Sequence, residues 1–235
     1  MKRLLPLGLI LLLGAGCASE APKEVAKTTE PAKPVNDWED VIYSSGQPDE
    51  GLPKSTGYGA RFPKDGDDVA VIKTSMGHIM VRFFPKFAPK HVANFLKLAS
   101  SGFYNGTKFH RVIPGFMIQG GDPNTKKSDR AKWGLGGPGY TVAHEFSDVP
   151  HFRGILSMAR AGDPDSAGSQ FFIVQKDSHN LDGQYSVFGE VIEGMDVVDK
   201  IVASPRDSKD APLKDVVIQE IKLRKWPTPM QHPHT

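Results

Sequence analysis

From Val69 onward the chain is cut into short β-rich runs by glycine-bearing turns, and this punctuation limits the fold more than any other feature. Val69 and Val71 suggest a first strand, Gly77 its turn, and Ile79, Val81 and Phe83 an alternating hairpin partner. Further strand-like runs cover 109–113, 116–119, 155–158, 171–175 and 185–191, with a β-branched final run over 216–223. Only two segments have helical character. Val92, Phe95, Leu96 and Ala99 recur at helical spacing, with Pro89 in the first turn and Gly102 as the stop. A second, short helix fits 195–201. Two helices are too few to cover a parallel sheet, so the chain is expected to be mainly β. A sandwich or a closed barrel would satisfy the pattern, and closure would remove exposed strand edges.

Composition divides the rest. With 235 residues, 39% of them hydrophobic and 24% charged, the chain suits one soluble domain with tails. Residues 1–16 read as a leader, 17–36 as a polar tether, 37–68 as an extension and 224–235 as a tail, leaving 69–223 as the domain. The tether is rich in Ala, Pro, Lys, Glu and Thr and lacks apolar periodicity, so it cannot bury enough surface to order itself. The formal net charge is +2, and Lys2 and Arg3 of the leader account for it. No basic run is interleaved with aromatics, which argues against nucleic acid as a partner.

The single cysteine, Cys17, excludes a disulfide within the chain. Its position carries more information. Lys2 and Arg3 precede an apolar run over 4–13, and Gly14, Ala15 and Gly16 lead directly to Cys17. This order resembles a lipoprotein signal, departing from it at Gly14, where Leu is more usual. The resemblance implies cleavage before Cys17, lipidation of its thiol, and attachment to the outer side of a bacterial membrane. Acyl chains anchor because each buried methylene contributes about 0.8 kcal/mol. Ser19 and Glu20 lack the aspartate that signals inner-membrane retention, so an outer-membrane or periplasmic site is favoured. The alternative is an ordinary secretory leader cut near Ala18.

Chemistry concentrates in two clusters. Residues 109–122 read Phe-His-Arg-Val-Ile-Pro-Gly-Phe-Met-Ile-Gln-Gly-Gly-Asp, and 168–173 read Gly-Ser-Gln-Phe-Phe-Ile. One Arg and a few amides among apolar groups suit a peptide groove. Core packing for Phe116, Met117 and Phe172, with Arg111 and Gln119 at the surface, is the competing explanation. Hydrolase chemistry lacks support, because Ser157 and Ser169 sit in no nucleophile-elbow motif. The histidines are dispersed, none at zinc-motif spacing, and His232 and His234 make no persuasive metal site. The glycine-rich 134–139 lacks the Lys-Ser of a phosphate loop and reads as a mobile surface loop.

The first cluster closely resembles the central signature of cyclophilins. The resemblance continues through Gly136-Gly137-Pro138-Gly139-Tyr140, Ile155 to Ala159, Gly168 to Ile173, Leu181-Asp182-Gly183 and Val187-Phe188-Gly189, in family order from about Val69 to Leu223. It implies a closed eight-stranded antiparallel β-barrel capped by two helices, with the active groove outside. It implies peptidyl-prolyl isomerase activity with no cofactor and no metal. Arg111 would be catalytic, with Gln119 holding its side chain. Phe116, Met117, Phe172 and Leu181 would form the proline pocket, and Ala159, Arg160, Gln170 and Tyr185 would complete the substrate groove. Partners would be proline-containing peptides and exported client proteins, met by a monomer. Two features depart from the family. Arg160 replaces a frequent Asn, and Asn180 stands where the best-known members have Trp, so cyclosporin is expected to bind weakly. Residues 123–135 form an expansion that is either a solvated loop or a client-selecting surface. Alternatives to an enzyme are a proline-peptide-binding module without turnover and a structural envelope lipoprotein.

Overall fold

The computed structural model describes residues 63–64 and 66–226. The leader, Cys17, the tether, most of the 37–68 extension and the tail beyond Trp226 lie outside the described residues. Among the described residues no helix is long and apolar enough to cross a membrane.

Eight strands form one sheet: β1 (Asp68–Thr74), β2 (Gly77–Phe83), β3 (Arg111–Ile113), β4 (Met117–Gly120), β5 (Ile155–Met158), β6 (Phe171–Val174), β7 (Val187–Glu193) and β8 (Ile218–Lys225). Their order is β3-β4-β6-β5-β7-β2-β1-β8, and the paired neighbours run antiparallel. Alternation sorts their side chains. Ala70 and Ile72 of β1 enter the main core with Ile79 and Val81 of β2. Val69 and Val71, which suggest the strand in the sequence, are buried too but lie outside that core.

Two helices cover the sheet, as expected. Helix α1 (Pro89–Ser100) opens on Pro89 and buries His91, Val92, Asn94, Phe95, Leu98 and Ala99. Leu96, read from the sequence as part of the core stripe, is only partly buried at its flank. The helix stops at Gly102, whose φ of 71° is in the left-handed region that side chains disfavour. Phe95 is the hub of the core. Its ring lies 5.1–5.5 Å from those of Tyr104, Phe188, Phe171 and Phe83. Helix α2 (Met195–Val202) buries Met195, Val197, Val198, Ile201 and Val202.

The closed barrel expected from the family resemblance is not formed. The sheet is an open, curled half-barrel with β3 and β8 at its two edges. The segment preceding β3 meets the start of β8 through an isolated bridge between Lys108 and Val217 and short bonds such as Ile218 N to Thr107 O at 2.7 Å. The edge of β3 itself is occupied. Val112 N donates to Asp210 O at 2.8 Å, so the loop before β8 sits where a closing ladder would need β8.

Candidate active site

The half-sheet β3-β4-β6-β5 is apolar on both faces. Val112, Ile118, Phe171, Ile173, Leu156 and Met158 enter the main core. The alternate residues Met117, Phe172, Val174 and Ile155 build a second cluster with Phe84, Val149, Leu181 and Val187. Such two-sided apolarity follows from runs like Phe171-Phe172-Ile173-Val174, which do not alternate with polar residues. The second cluster ends in a cavity of about 100 Å³, lined by Arg111, Phe116, Met117, Gln119, Ala159, Arg160, Phe172, Leu181 and Tyr185.

These nine residues come from β3, β4, β6 and three loops, and register explains their meeting. Arg111 pairs with Gln119 across β3 and β4, and Gln119 pairs with Phe172 across β4 and β6. Period-two alternation then aims all three side chains to the same face. Met117 and Phe172 are 1% and 5% exposed, so the floor is core as well as pocket. Tyr185 stands edge-on to Phe172 at 5.7 Å, and the Arg160 guanidinium lies 4.7 Å above the Tyr185 ring. Gln170, the remaining residue read from the sequence, lines an adjoining cavity of about 560 Å³ with Gln119, Ala159, Arg160 and the 134–141 segment.

A chain of amides joins the two cavities. Arg111 Nη1 lies 3.5 Å from Gln119 Oε1, Gln119 Nε2 donates to Gln170 Oε1 at 3.0 Å, and Gln170 Nε2 donates to the carbonyls of Gly134 and Gly136 at 2.9 Å. The glycine-rich segment, expected to be a mobile loop, is therefore held. Its anchor is Asp122, which is fully buried. One carboxylate oxygen accepts from Asn124 N at 2.7 Å and the other from Gly134 N. Gly136 is required there, since a Cβ would collide with Asp122 Oδ1 and the Asn124 amide. The 123–135 expansion is tied down in turn. The Trp133 indole lies between Lys108 at 4.8 Å and Arg130 at 4.6 Å, and Arg130 pairs with Asp215 at 2.8 Å.

Behind the pocket lies His151, a residue that sequence reasoning missed. His151 is fully buried and stacks on Phe172, with centroids 6.0 Å apart and planes 13° apart. Its Nδ1 is 3.0 Å from Asp182 and its Nε2 is 3.1 Å from the Ser157 hydroxyl. Burial pushes the imidazole pKa down, against the pull of Asp182. In the neutral ring Nδ1–H donates to Asp182, and the single Ser157 hydroxyl proton faces two acceptors, His151 Nε2 and Ser186 O, each at 3.1 Å. Thirty-one residues separate His151 from Asp182 in the chain, and no local motif marks the pair. His110, beside Arg111, is also buried and lowered by desolvation, so it is poorly suited to hold a charge. His179 turns to Asp182 and Phe152, and neither it nor Asn180 lines the cavity. Among the described residues no group of three His, Cys, Asp or Glu is placed to hold a metal ion.

Residues 69–223 match the family described as cyclophilin type peptidyl-prolyl cis-trans isomerase/CLD. The chain is 47% identical over 142 residues to a probable peptidyl-prolyl cis-trans isomerase of Brucella abortus, covering 58% of this chain and 72% of that relative. It is 42% identical over 154 residues to the human peptidyl-prolyl cis-trans isomerase-like 1, covering 63% and 87%. The crystal structure of a Cryptosporidium parvum cyclophilin type isomerase obtained with the dipeptide Ala-Pro aligns with a TM-score of 0.61 at 35% identity, covering 67% of this chain and 99% of that one.

Proposed function

The chain belongs to the cyclophilin-type peptidyl-prolyl cis-trans isomerases and acts on Xaa-Pro bonds, and we propose that it does so in the cavity beside Arg111, on exported proteins. The observation that carries the site is the cationic donor Arg111, which lines the same cavity as the apolar groups Phe116, Met117, Phe172 and Leu181 and lies beside the Gln119 amide.

The mechanism follows from the amide bond. Conjugation gives it a rotation barrier of about 18–20 kcal/mol. Twisting breaks the conjugation and returns a lone pair to the prolyl nitrogen. A guanidinium donor beside that nitrogen gains a hydrogen bond that the planar ground state scarcely offers, so it favours the transition state. Phe116, Met117 and Phe172 grip the ring while the preceding carbonyl turns. Gln119 limits where Arg111 can point, and Gln170 fixes Gln119 against the 134–136 carbonyls. Ala159, Arg160 and Tyr185 form the remaining wall. No nucleophile or general base is needed. Uncatalysed isomerisation takes tens to hundreds of seconds, slow enough to limit folding.

Export rests on the leader. Lys2 and Arg3, the apolar run and the small residues before Cys17 support cleavage there and a lipid on the thiol, with the domain in the bacterial envelope. Cyclosporin then binds weakly, since Asn180 lacks the indole of the best-known members. Arg111→Ala tests the site. Loss of one charged hydrogen bond made at the transition state costs about 1.5–3 kcal/mol, or roughly tenfold to more than a hundredfold in kcat/KM. Unchanged turnover in a folded variant would contradict the assignment.

A further inference from the structure

The two arginines of the groove differ from four arginines elsewhere in the domain. Those four, Arg82, Arg130, Arg153 and Arg206, each meet a carboxylate, on Glu190, Asp215, Asp199 and Asp210 respectively. Among the described residues, the bonds formed by Arg111 and Arg160 go to neutral oxygens. Arg111 reaches the Gln119 amide, and Arg160 donates through Nε to Gln184 O at 3.2 Å and through Nη1 to Ala161 O and Gly162 O at 2.9 and 3.2 Å. Neither cavity has an aspartate or glutamate in its lining. The acids nearest in sequence are already engaged. Asp163 accepts from Asp165 N at 2.9 Å, and Asp165 pairs with His144 at 2.7 Å.

Arg160 stands on the wall shared by the two cavities. Its three carbonyl contacts and its stacking on Tyr185 fix the guanidinium before any peptide arrives, and Nη2 carries none of those three bonds. A preordered cation loses little side-chain freedom on meeting an anion. Arg111 is committed to the prolyl nitrogen, so Arg160 is the group left to read charge. We propose that Arg160 selects substrates carrying Asp or Glu within two residues of the proline. The inference rests on the isomerase site assigned above and adds the class of peptide that site takes.

Such a contact acts on ground state and transition state alike, so it lowers KM and leaves kcat nearly unchanged. The test measures isomerisation by the full chain on matched peptides, with Glu, Gln or Lys placed in turn at the two positions on either side of the proline. At one or more positions, KM for Glu should lie about two- to fivefold below that for Lys, the range of a partly exposed ion pair. The gap should shrink with added salt. It should close in Arg160→Gln and persist in Arg160→Lys, whatever the overall rate of either variant. Equal KM values for Glu and Lys at all four positions would overturn the inference, as would a preference that survives in Arg160→Gln. Turnover of the Gln peptides by the wild-type chain tests the parent assignment separately.

Discussion

At the scale of single residues, the site depends on positions with no substitutes. Arg111, Gln119, Gln170 and the carbonyls of Gly134 and Gly136 form one hydrogen-bonded line, and Asp122 holds its far end. Gly136→Ala would push a methyl group into Asp122 Oδ1 and the Asn124 amide. Overpacking of this kind costs about 1–3 kcal/mol, which a lowered denaturant midpoint would report. Turnover should fall further than stability explains, because Gln170 would lose an acceptor and Gln119 its brace. A variant as stable and as active as the wild type would show that the line is incidental. Two compact sequence clusters drew attention to Arg111, Phe116, Met117, Gln119, Gln170 and Phe172, but core packing explained the clusters equally well, and it was the family resemblance that named these residues as a groove. His151 was not legible, since its contacts with Asp182 and Ser157 arise only when the loop before β5 folds back over β5 and against the loop before β7.

Among the elements, short β-rich runs between glycine-bearing turns located the strands, and helical spacing located α1, because each pattern is local. The run 155–158 is strand β5 as read. The final strand begins at Ile218 rather than Val216, since residues 216–218 bond to 106–109 before β8 joins β1. Closure was beyond reach for a related reason. Alternation says which face a side chain takes and leaves open whether two distant edges meet, and here Asp210 takes the β3 edge. Helix α1 is the element that fixes the main core to the sheet. Phe95→Ala would remove a fully buried ring packed against four others. A loss of about 3–5 kcal/mol is expected, read from chemical denaturation. A loss below about 1 kcal/mol would fall outside that range and show that α1 is not the keystone.

Across the whole molecule, buried histidines set the response to acid. His91, His110 and His151 are 0%, 6% and 0% exposed, and burial pushes each below the usual imidazole range. The unfolded chain therefore binds protons that the folded chain refuses once pH drops below about 6.5. Carboxylates act in the same direction at lower pH. Burial alone would raise Glu145 and Asp182, but N–H donors from His91 and Lys90, and from His151 and His179, hold them low. Arg153 holds Asp199 low. Stability should be level above about pH 7, fall below about 6.5, and fall further through the carboxylate range near 4. Urea titrations across pH would show it, and a maximum near pH 5 would contradict it. The proposed lipid on Cys17 is tested at this scale as well. In fractionated cells, Cys17→Ser should move the protein to the soluble fraction with turnover retained, whereas full membrane retention would refute lipidation at Cys17.

In the proposed mechanism Arg111 acts on the twisted amide and much less on the resting one. Exchange between the cis and trans signals of a bound proline peptide, followed by NMR at equilibrium, measures that step apart from affinity. For Arg111→Ala the exchange rate should fall by roughly tenfold to more than a hundredfold, while the dissociation constant changes far less. Wild-type exchange in a folded Arg111→Ala protein, or a loss confined to binding, would contradict the account.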